Sequence, residues 1–281
     1  MTISDALEQA AERLRDSGVS ESRREAASLL AFVLQKDAAF LIAHPEYDLS
    51  ADEINTFEQY LNRRANHEPF QYIVGRQEFY HLDFEVSPDV LIPRPETEIL
   101  VECAINILSG LENPRLCEIG VGSGCISVSI LNAVGSASAV GVDISQGALA
   151  VARRNSERHK VDRRLELIKG DVFDGINART FDLIVSNPPY IPRDHLDSLQ
   201  AEVRDFEPRV ALDGGANGLS IIERIIQNSQ GFLKDQGILL LEIGYDQAKT
   251  VTGLFDNRAW KEPELIPDLQ GIPRIVKIEK N

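Results

Sequence analysis

The stretch FDLIVSNPPYIP (181–192) opens as an apolar strand and then breaks into an asparagine, two prolines and a tyrosine. Pro188 and Pro189 lack a backbone N–H and fix their own φ, so the turn they make is stiff and rich in acceptors. What it presents is the side-chain oxygen of Asn187, the carbonyl of Pro188 and the ring of Tyr190. The two oxygens suit a planar NH2 group with two hydrogens to donate, and Tyr190 could stack on its flat face. The nitrogen of such a group is a weak nucleophile because its lone pair is delocalised. Acceptors that take both hydrogens turn the lone pair toward an incoming electrophile and stabilise the positive charge that grows on nitrogen. No strong base is required, since the substituted nitrogen sheds its proton readily. A plainer alternative is that the prolines only end the strand.

The second candidate is EIGVGSGCI (118–126). Gly120, Gly122 and Gly124 allow unusual dihedrals and bring a ligand close to N–H groups at a helix start, although a GxGxG by itself also fits a merely tight turn. Glu118 precedes the glycines, and Asp143 ends the next strand about twenty residues on, where an acid suits ribose hydroxyls. Glu118 is awkward for a pyrophosphate but agreeable to a cation. S-adenosylmethionine, with its sulfonium, ammonium and ribose, fits these charges better than NAD does. At the end of the third strand Asp171 can accept from an exocyclic amine and Val172 can offer its N–H to a ring nitrogen, or Asp171 simply caps its turn.

These residues need a frame that gathers strand ends. From Arg115 onward, segments of strand and helix rhythm alternate: RLCEIG, GCISVSILNAV, ASAVGVD, SQGALAVARRNSERH, RLELIKGD, FDLIVS, ANGLSIIERIIQNSQGFL and QGILLLEIG. The succession predicts an α/β fold with a doubly wound, mostly parallel sheet, its ligand beyond the carboxyl ends of the strands. PELIPDL and RIVKIEK add two closing strands, at least one antiparallel, for about seven in all. Residues 1–75 read as a small all-helical domain, with Ser22 expected to cap a second helix and Ser50 with Glu53 forming a capping box. QEFYHLDFEVS predicts a β-hairpin linker over 76–89, and the sheet domain spans 90–281. The stretch 187–216 lacks regular periodicity, and one so long in a compact domain is usually functional.

Composition narrows the partners. The 44 acids against 29 bases leave a formal charge of −15, which repels nucleic acid and anionic membranes and favours a protein or small-molecule substrate. Met1 to Glu12 carries no signal-peptide pattern and no stretch is long enough to span a bilayer, so no membrane partner is expected. Cys103, Cys117 and Cys125 form no disulfide framework or metal spacing, which suits the cytoplasm and predicts no metal. His81, His159 and His195 have no zinc or triad spacing, and Arg94 read alone fits a hinge ion pair. Arg209 fits a tie between the 206–219 loop and an acidic side chain. A monomer is expected.

With these residues in view the chain resembles a family, the class I S-adenosylmethionine-dependent methyltransferases that modify glutamine in peptide chain release factors. The resemblance rests on PFQYIVGRQEFY (69–80), VLIPRPETEILV (90–101), NPPYIP (187–192), FEPRVALDGGANGL (206–219) and LEIGYDQ (241–247), in the family's order and over essentially the whole chain. NPPY alone would not choose, because methyltransferases of exocyclic amines in DNA and RNA carry similar tetrapeptides; these remain the alternative. The resemblance implies a class I methyltransferase-like fold with S-adenosylmethionine as cofactor and S-adenosylhomocysteine as product. Its cofactor site would comprise Glu118, Gly120, Val121, Gly122, Gly124, Asp143, Ile144, Asp171, Val172, Phe173 and Asn187. Asn187, Pro188 and Tyr190 would be catalytic, with Pro189, Arg94 and Glu96 helping to bind the substrate, and Pro95 and Thr97 beside them in the wall. The substrate implied is the glutamine of a Gly-Gly-Gln loop, and the helical domain is similar to the family's substrate-recognition module. Departures are Glu118 where many members have aspartate, Asn217 at a commonly acidic position, and Tyr245 at a variable aromatic one.

Overall fold

The computed structural model describes residues 1–177 and 179–281. Its backbone divides into two units, Met1–Gly75 with Gln200–Phe206, and Arg76–Leu199 with Glu207–Asn281. The first unit is helical: α1 (Ile3–Asp16), α2 (Ser22–Leu34), α3 (Ala38–Ala43), α4 (Ala51–Ala65), α5 (Phe70–Val74) and the later α9 (Ala201–Phe206). Thr2 with Asp5 and Ser50 with Glu53 form reciprocal capping boxes that satisfy N–H groups at the starts of α1 and α4. The sequence pattern marks the second of these. Ser22 does not cap α2 as expected; Glu21 takes the cap position at φ 52 with no side-chain capping bond, and Ser22 is the first helical residue.

Leu14, Leu29, Leu30, Phe57 and Leu61 are buried in one core that joins α1 to α5. Within it Arg64 of α4 is 2% exposed and donates to Glu25 at 2.9 Å and to Glu202 of α9 at 2.5 Å. A guanidinium taken out of water needs such carboxylates to offset its desolvation. This pairing ties the 200–206 excursion to the helical unit.

The second unit starts with a hairpin, β1 (Arg76–Phe79) and β2 (Leu82–Glu85), antiparallel in the register Arg76↔Glu85. Its two turn residues, Tyr80 and His81, both have positive φ (48 and 62), as a tight two-residue hairpin turn demands. After α6 (Thr97–Leu108) come β3 (Arg115–Ile119), α7 (Cys125–Ala133), β4 (Ser138–Asp143), α8 (Gln146–Arg158), β5 (Leu165–Lys169) and β6 (Phe181–Ser186). Past α9 follow α10 (Ser220–Ser229), β7 (Leu233–Glu242), α11 (Ala248–Thr252), β8 (Glu264–Pro267) and β9 (Pro273–Glu279).

The sheet has seven strands in the order β5-β4-β3-β6-β7-β9-β8. β3 to β7 are mutually parallel, while β9 and β8 close the edge antiparallel. Strand order reverses between β3 and β6, so the crevice at their carboxyl ends is where such a sheet binds ligands. The pleat sorts the core: Cys117, Ile119, Ile184, Leu239 and Leu241 face α10, whereas Leu116, Leu183, Val185 and Leu240 face α6 and α7. By the same alternation Glu118 and Glu242, at the ends of β3 and β7, lie on the α6–α7 face.

One boundary and three short helices differ from the sequence expectation. β7 starts at Leu233, within the segment read as helix, because a register shift between Phe181 and Leu183 lets Leu233 pair with Phe181 ahead of the main ladder. α5, α9 and α11 are too short for a helical period to be visible. Among the described residues, no helix is long and apolar enough to cross a membrane and no cluster of His, Cys, Asp and Glu could hold a metal.

Candidate active site

A cleft of about 180 Å³ opens at the carboxyl ends of β3, β4 and β6. Its floor is the turn after β3, where Gly120, Gly122 and Gly124 all hold positive φ (76, 54 and 81). At Gly124 a Cβ would also press to 3.3 Å of the Ala152 backbone on α8. The turn is braced by Asp143, which accepts from the N–H groups of Gly122 and Ser145 at 2.9 Å each. Burial pushes the Asp143 carboxyl up, and these backbone bonds oppose the shift.

Glu118 is fully buried. Its Oε2 accepts from the Ser127 N–H at 2.9 Å and from the Ser127 hydroxyl, while Oε1 has no partner. Burial, with Asp143 adding to it, pushes this carboxyl up to about 8 against the Ser127 bonds. Asp171 lines the cleft and pairs with Arg224 of α10 at 3.0 Å. Val172 also lines the cleft and holds φ 58, a left-handed conformation that costs a β-branched residue on the order of 1–2 kcal/mol.

Val121 and Ile144 join the cleft wall, and Ile144 is half exposed at its mouth. Gly124 and Phe173 lie behind it: Gly124 caps α7, and Phe173 stacks on Phe232 with ring centroids 4.6 Å apart.

At the end of β6, Ser186 donates to the Ile119 carbonyl at 2.7 Å and locks the two strand ends together. Asn187 follows, lining the cleft, and its Nδ2 donates to the Thr97 hydroxyl at 3.1 Å. Glu242, 3% exposed, lies close to Thr97 and Asn187 and keeps Oε2 without a partner. Pro188 is buried and Pro189 lines the cleft. Tyr190 packs inward, and burial, with Glu242 beside it, pushes its phenol up to about 12.

Thr97 and Arg94 of the PRPET segment line the cleft, whereas Pro95 and Glu96 are exposed. Arg94 donates to Glu207 at 2.5 Å, and that carboxylate is 1% exposed. Thus Arg94 and Glu207, rather than Arg209, tie the 206–219 loop, whose Pro208, Val210 and Ala211 wall the cleft.

The remainder of that loop cradles the NPPY backbone. Ile191 donates to Leu212 at 3.1 Å and accepts from Gly214 at 2.9 Å. At Gly218, φ 74, a Cβ would sit 2.3 Å from the Tyr190 carbonyl. Gln247 Nε2 donates to the carbonyls of Tyr190 and Gly218. Asn217, the departure noted in sequence, accepts from the Leu219 N–H at 3.1 Å and so shapes the same turn.

Sequence reasoning passed over Ser127, Glu207, Glu242 and Gln247 as members of this site. A signal for Glu242 exists: LLLEIG repeats the CEIG pattern of β3, an acid closing an apolar strand before a glycine.

The sheet order and the glycine turn with acids at successive strand ends define a class I methyltransferase. A solved methyltransferase from Pyrococcus furiosus shares the fold, with a TM-score of 0.54 at 19% identity over 78% of this chain and 98% of that one. Residues 5–75 match the PrmC N-terminal domain family and residues 96–203 the methyltransferase small domain family. The chain is 42% identical over 275 residues to a release factor glutamine methyltransferase of Geobacter sulfurreducens, covering 98% of this chain and 95% of that protein. It is 40% identical over 277 residues to one of Koribacter versatilis, covering 98% of each. The chain belongs to the release factor glutamine methyltransferase family.

Proposed function

We propose that the chain methylates the side-chain amide nitrogen (N5) of the glutamine in the Gly-Gly-Gln motif of peptide chain release factors, with S-adenosylmethionine as donor, in the cytoplasm. The observation that carries the reading is the anchoring of Asn187: its Nδ2 is held from behind by Thr97, which leaves Oδ1 to face the cleft. A glutamine carboxamide is the planar NH2 that such an acceptor recognises.

The donor's fit is tested by Glu118. A buried carboxylate oxygen without a partner is costly unless a cationic or hydrogen-donating ligand meets it, and Asp143 and Asp171 extend the acidic lining. Glu118, Gly120, Val121, Gly122, Asp143, Ile144, Asp171 and Val172 would hold the cofactor. When bound, S-adenosylmethionine supplies an electrophilic methyl on a positively charged sulfur.

The residues of the chain do the rest. Asn187 Oδ1 and the Pro188 carbonyl accept the two amide hydrogens, which orients the nitrogen lone pair and stabilises its growing positive charge. Pro189 and Tyr190 shape the slot, and the wall from Pro208 to Ala211 shields it from water. The nitrogen gains a carbon and releases one proton to solvent, so no basic side chain is required. Arg94 acts through Glu207 on the loop. Residues 1–75 serve in this reading to recognise the release factor, with the 76–89 hairpin as linker.

The test is transfer of labelled methyl from S-adenosylmethionine, offered release factor, DNA and RNA in parallel, with mass mapping of the modified residue. Label on the Gly-Gly-Gln glutamine is the expected result. Label confined to nucleic acid would replace the reading with an exocyclic-amine methyltransferase.

A further inference from the structure

Rotating an asparagine carboxamide by half a turn exchanges oxygen and nitrogen with almost no change of shape, so only its polar neighbours decide which atom points forward. For an acceptor that must grasp an NH2 group, the wrong orientation would present a donor to a donor. Behind Asn187 stand the Thr97 hydroxyl, at 3.1 Å from Nδ2, and, close to both residues, the buried carboxylate of Glu242, whose Oε2 has no partner. An ionised carboxylate only accepts. It draws the Thr97 hydroxyl hydrogen to itself, which turns a Thr97 lone pair toward Asn187. Both groups then accept from Nδ2, and Oδ1 is left to the cleft.

We propose that Glu242 is a positioning residue, acting through Thr97 to fix the Asn187 carboxamide with its oxygen toward the substrate. The proposal rests on the amide-methylation reading above and adds a residue that the chemistry of that reading does not itself require. Once Glu242 takes up a proton it becomes a donor, the Thr97 hydroxyl is free to reverse, and the bias on Asn187 is lost.

Burial pushes the Glu242 carboxyl up to about 7; the Thr97 bond opposes this, Glu96 adds to it, and Arg274 and the Asn187 bond oppose it. The other groups facing it are Tyr190 and Cys125, both pushed up to about 12 chiefly by burial, with Arg94 near the Tyr190 phenol. Tyr190 and Cys125 therefore stay neutral across the range in which Glu242 titrates. Transfer should fall as pH drops through neutrality although the substrate amide itself does not titrate.

The test compares wild type, Glu242→Gln and Glu242→Leu in single-turnover transfer to release factor across pH, beside calorimetric cofactor binding. Glutamine offers an oxygen to Thr97 and Asn187 but cannot titrate. It should stay within about tenfold of the wild-type rate at high pH and lose the acid limb, whereas leucine should slow transfer about a hundredfold at every pH. Cofactor affinity should be unchanged in both variants. A second readout needs no substrate: the Asn187 side-chain NH2 signals, identified by their loss in Asn187→Ala, are followed by NMR. They should shift with a midpoint near neutrality in wild type and stay fixed in Glu242→Gln.

An acid limb that survives in Glu242→Gln, a wild-type rate in a folded Glu242→Leu, or an Asn187 signal indifferent to pH would overturn the proposal. If the leucine variant does not fold, the glutamine profile and the NMR titration decide. Wild type that methylates no glutamine while its Asn187 signal still titrates would refute the proposed function and leave the positioning role standing.

Discussion

Replacing Glu118 by glutamine isolates the electrostatic cost that the cleft imposes on the fold. The side chain is fully buried and its carboxyl is pushed from 4.5 to about 8, mainly by burial. Because the folded value lies above the unfolded one, the folded state keeps a proton that the unfolded chain has released. The stability this contributes is full below pH 4.5 and is lost as pH rises through about 8. Relative to acid conditions the loss is roughly 3 kcal/mol at pH 7 and roughly 4 kcal/mol at pH 8.

Glutamine can keep the Ser127 bonds through its oxygen while placing Nε2 where Oε1 has no partner, a pH-independent cost of about 1–3 kcal/mol. The slope, not the offset, is therefore diagnostic. Between about pH 5 and pH 8 the sheet unit of wild type should lose on the order of 10 °C in Tm more than the variant does. Glu242 contributes its own slope to both proteins alike. Cofactor affinity should weaken about tenfold or more in the variant, because glutamine cannot ionise to meet a cationic ligand. Scanning calorimetry at a series of pH values, with and without S-adenosylmethionine, measures both. Parallel Tm–pH lines for the two proteins would refute the assignment of a raised carboxyl to Glu118.

Three further outcomes follow from the same geometry. Asn187→Ala should leave the cofactor dissociation constant within about twofold while transfer falls about two to three orders of magnitude, read by calorimetry beside single-turnover assays; equal transfer by wild type and variant would reject its role. Asp143→Ala removes the acceptor that braces Gly122 and Ser145, so cofactor binding should weaken first, by about tenfold or more, and an unchanged dissociation constant would contradict this. Gly218→Ala forces a Cβ against the Tyr190 carbonyl at a positive φ, at a cost of about 1–3 kcal/mol. It should fold with a lowered Tm and lose transfer well beyond what that shift explains; full activity would show that the 214–218 turn does not position NPPY.

Much of this protein is local, and what is local was readable in the chain itself. The alternation of strand and helix from Arg115 dictated a parallel sheet, because each apolar run could bury itself only in that arrangement. Ser50 with Glu53 announced a helix start, and acids following apolar strands marked Glu118, Asp143 and Asp171 at one end of the sheet. Two prolines after Asn187 announced a stiff turn of acceptors. None of these depends on residues far away in the chain. Which partners those groups meet does depend on them. Thr97 reaches Asn187 across ninety positions of sequence, Arg94 reaches Glu207 across more than a hundred, and Glu242 joins the cluster only because β7 pairs beside β6. The 206–219 loop carries no periodicity because its shape is set by carbonyls of another segment rather than by its own pattern. Local patterning therefore determined the strands, the turns and the chemical types at their ends, while the parallel pairing of distant strands decided which carboxylate stands behind which amide, since desolvation and hydrogen bonding act through space and not along the chain.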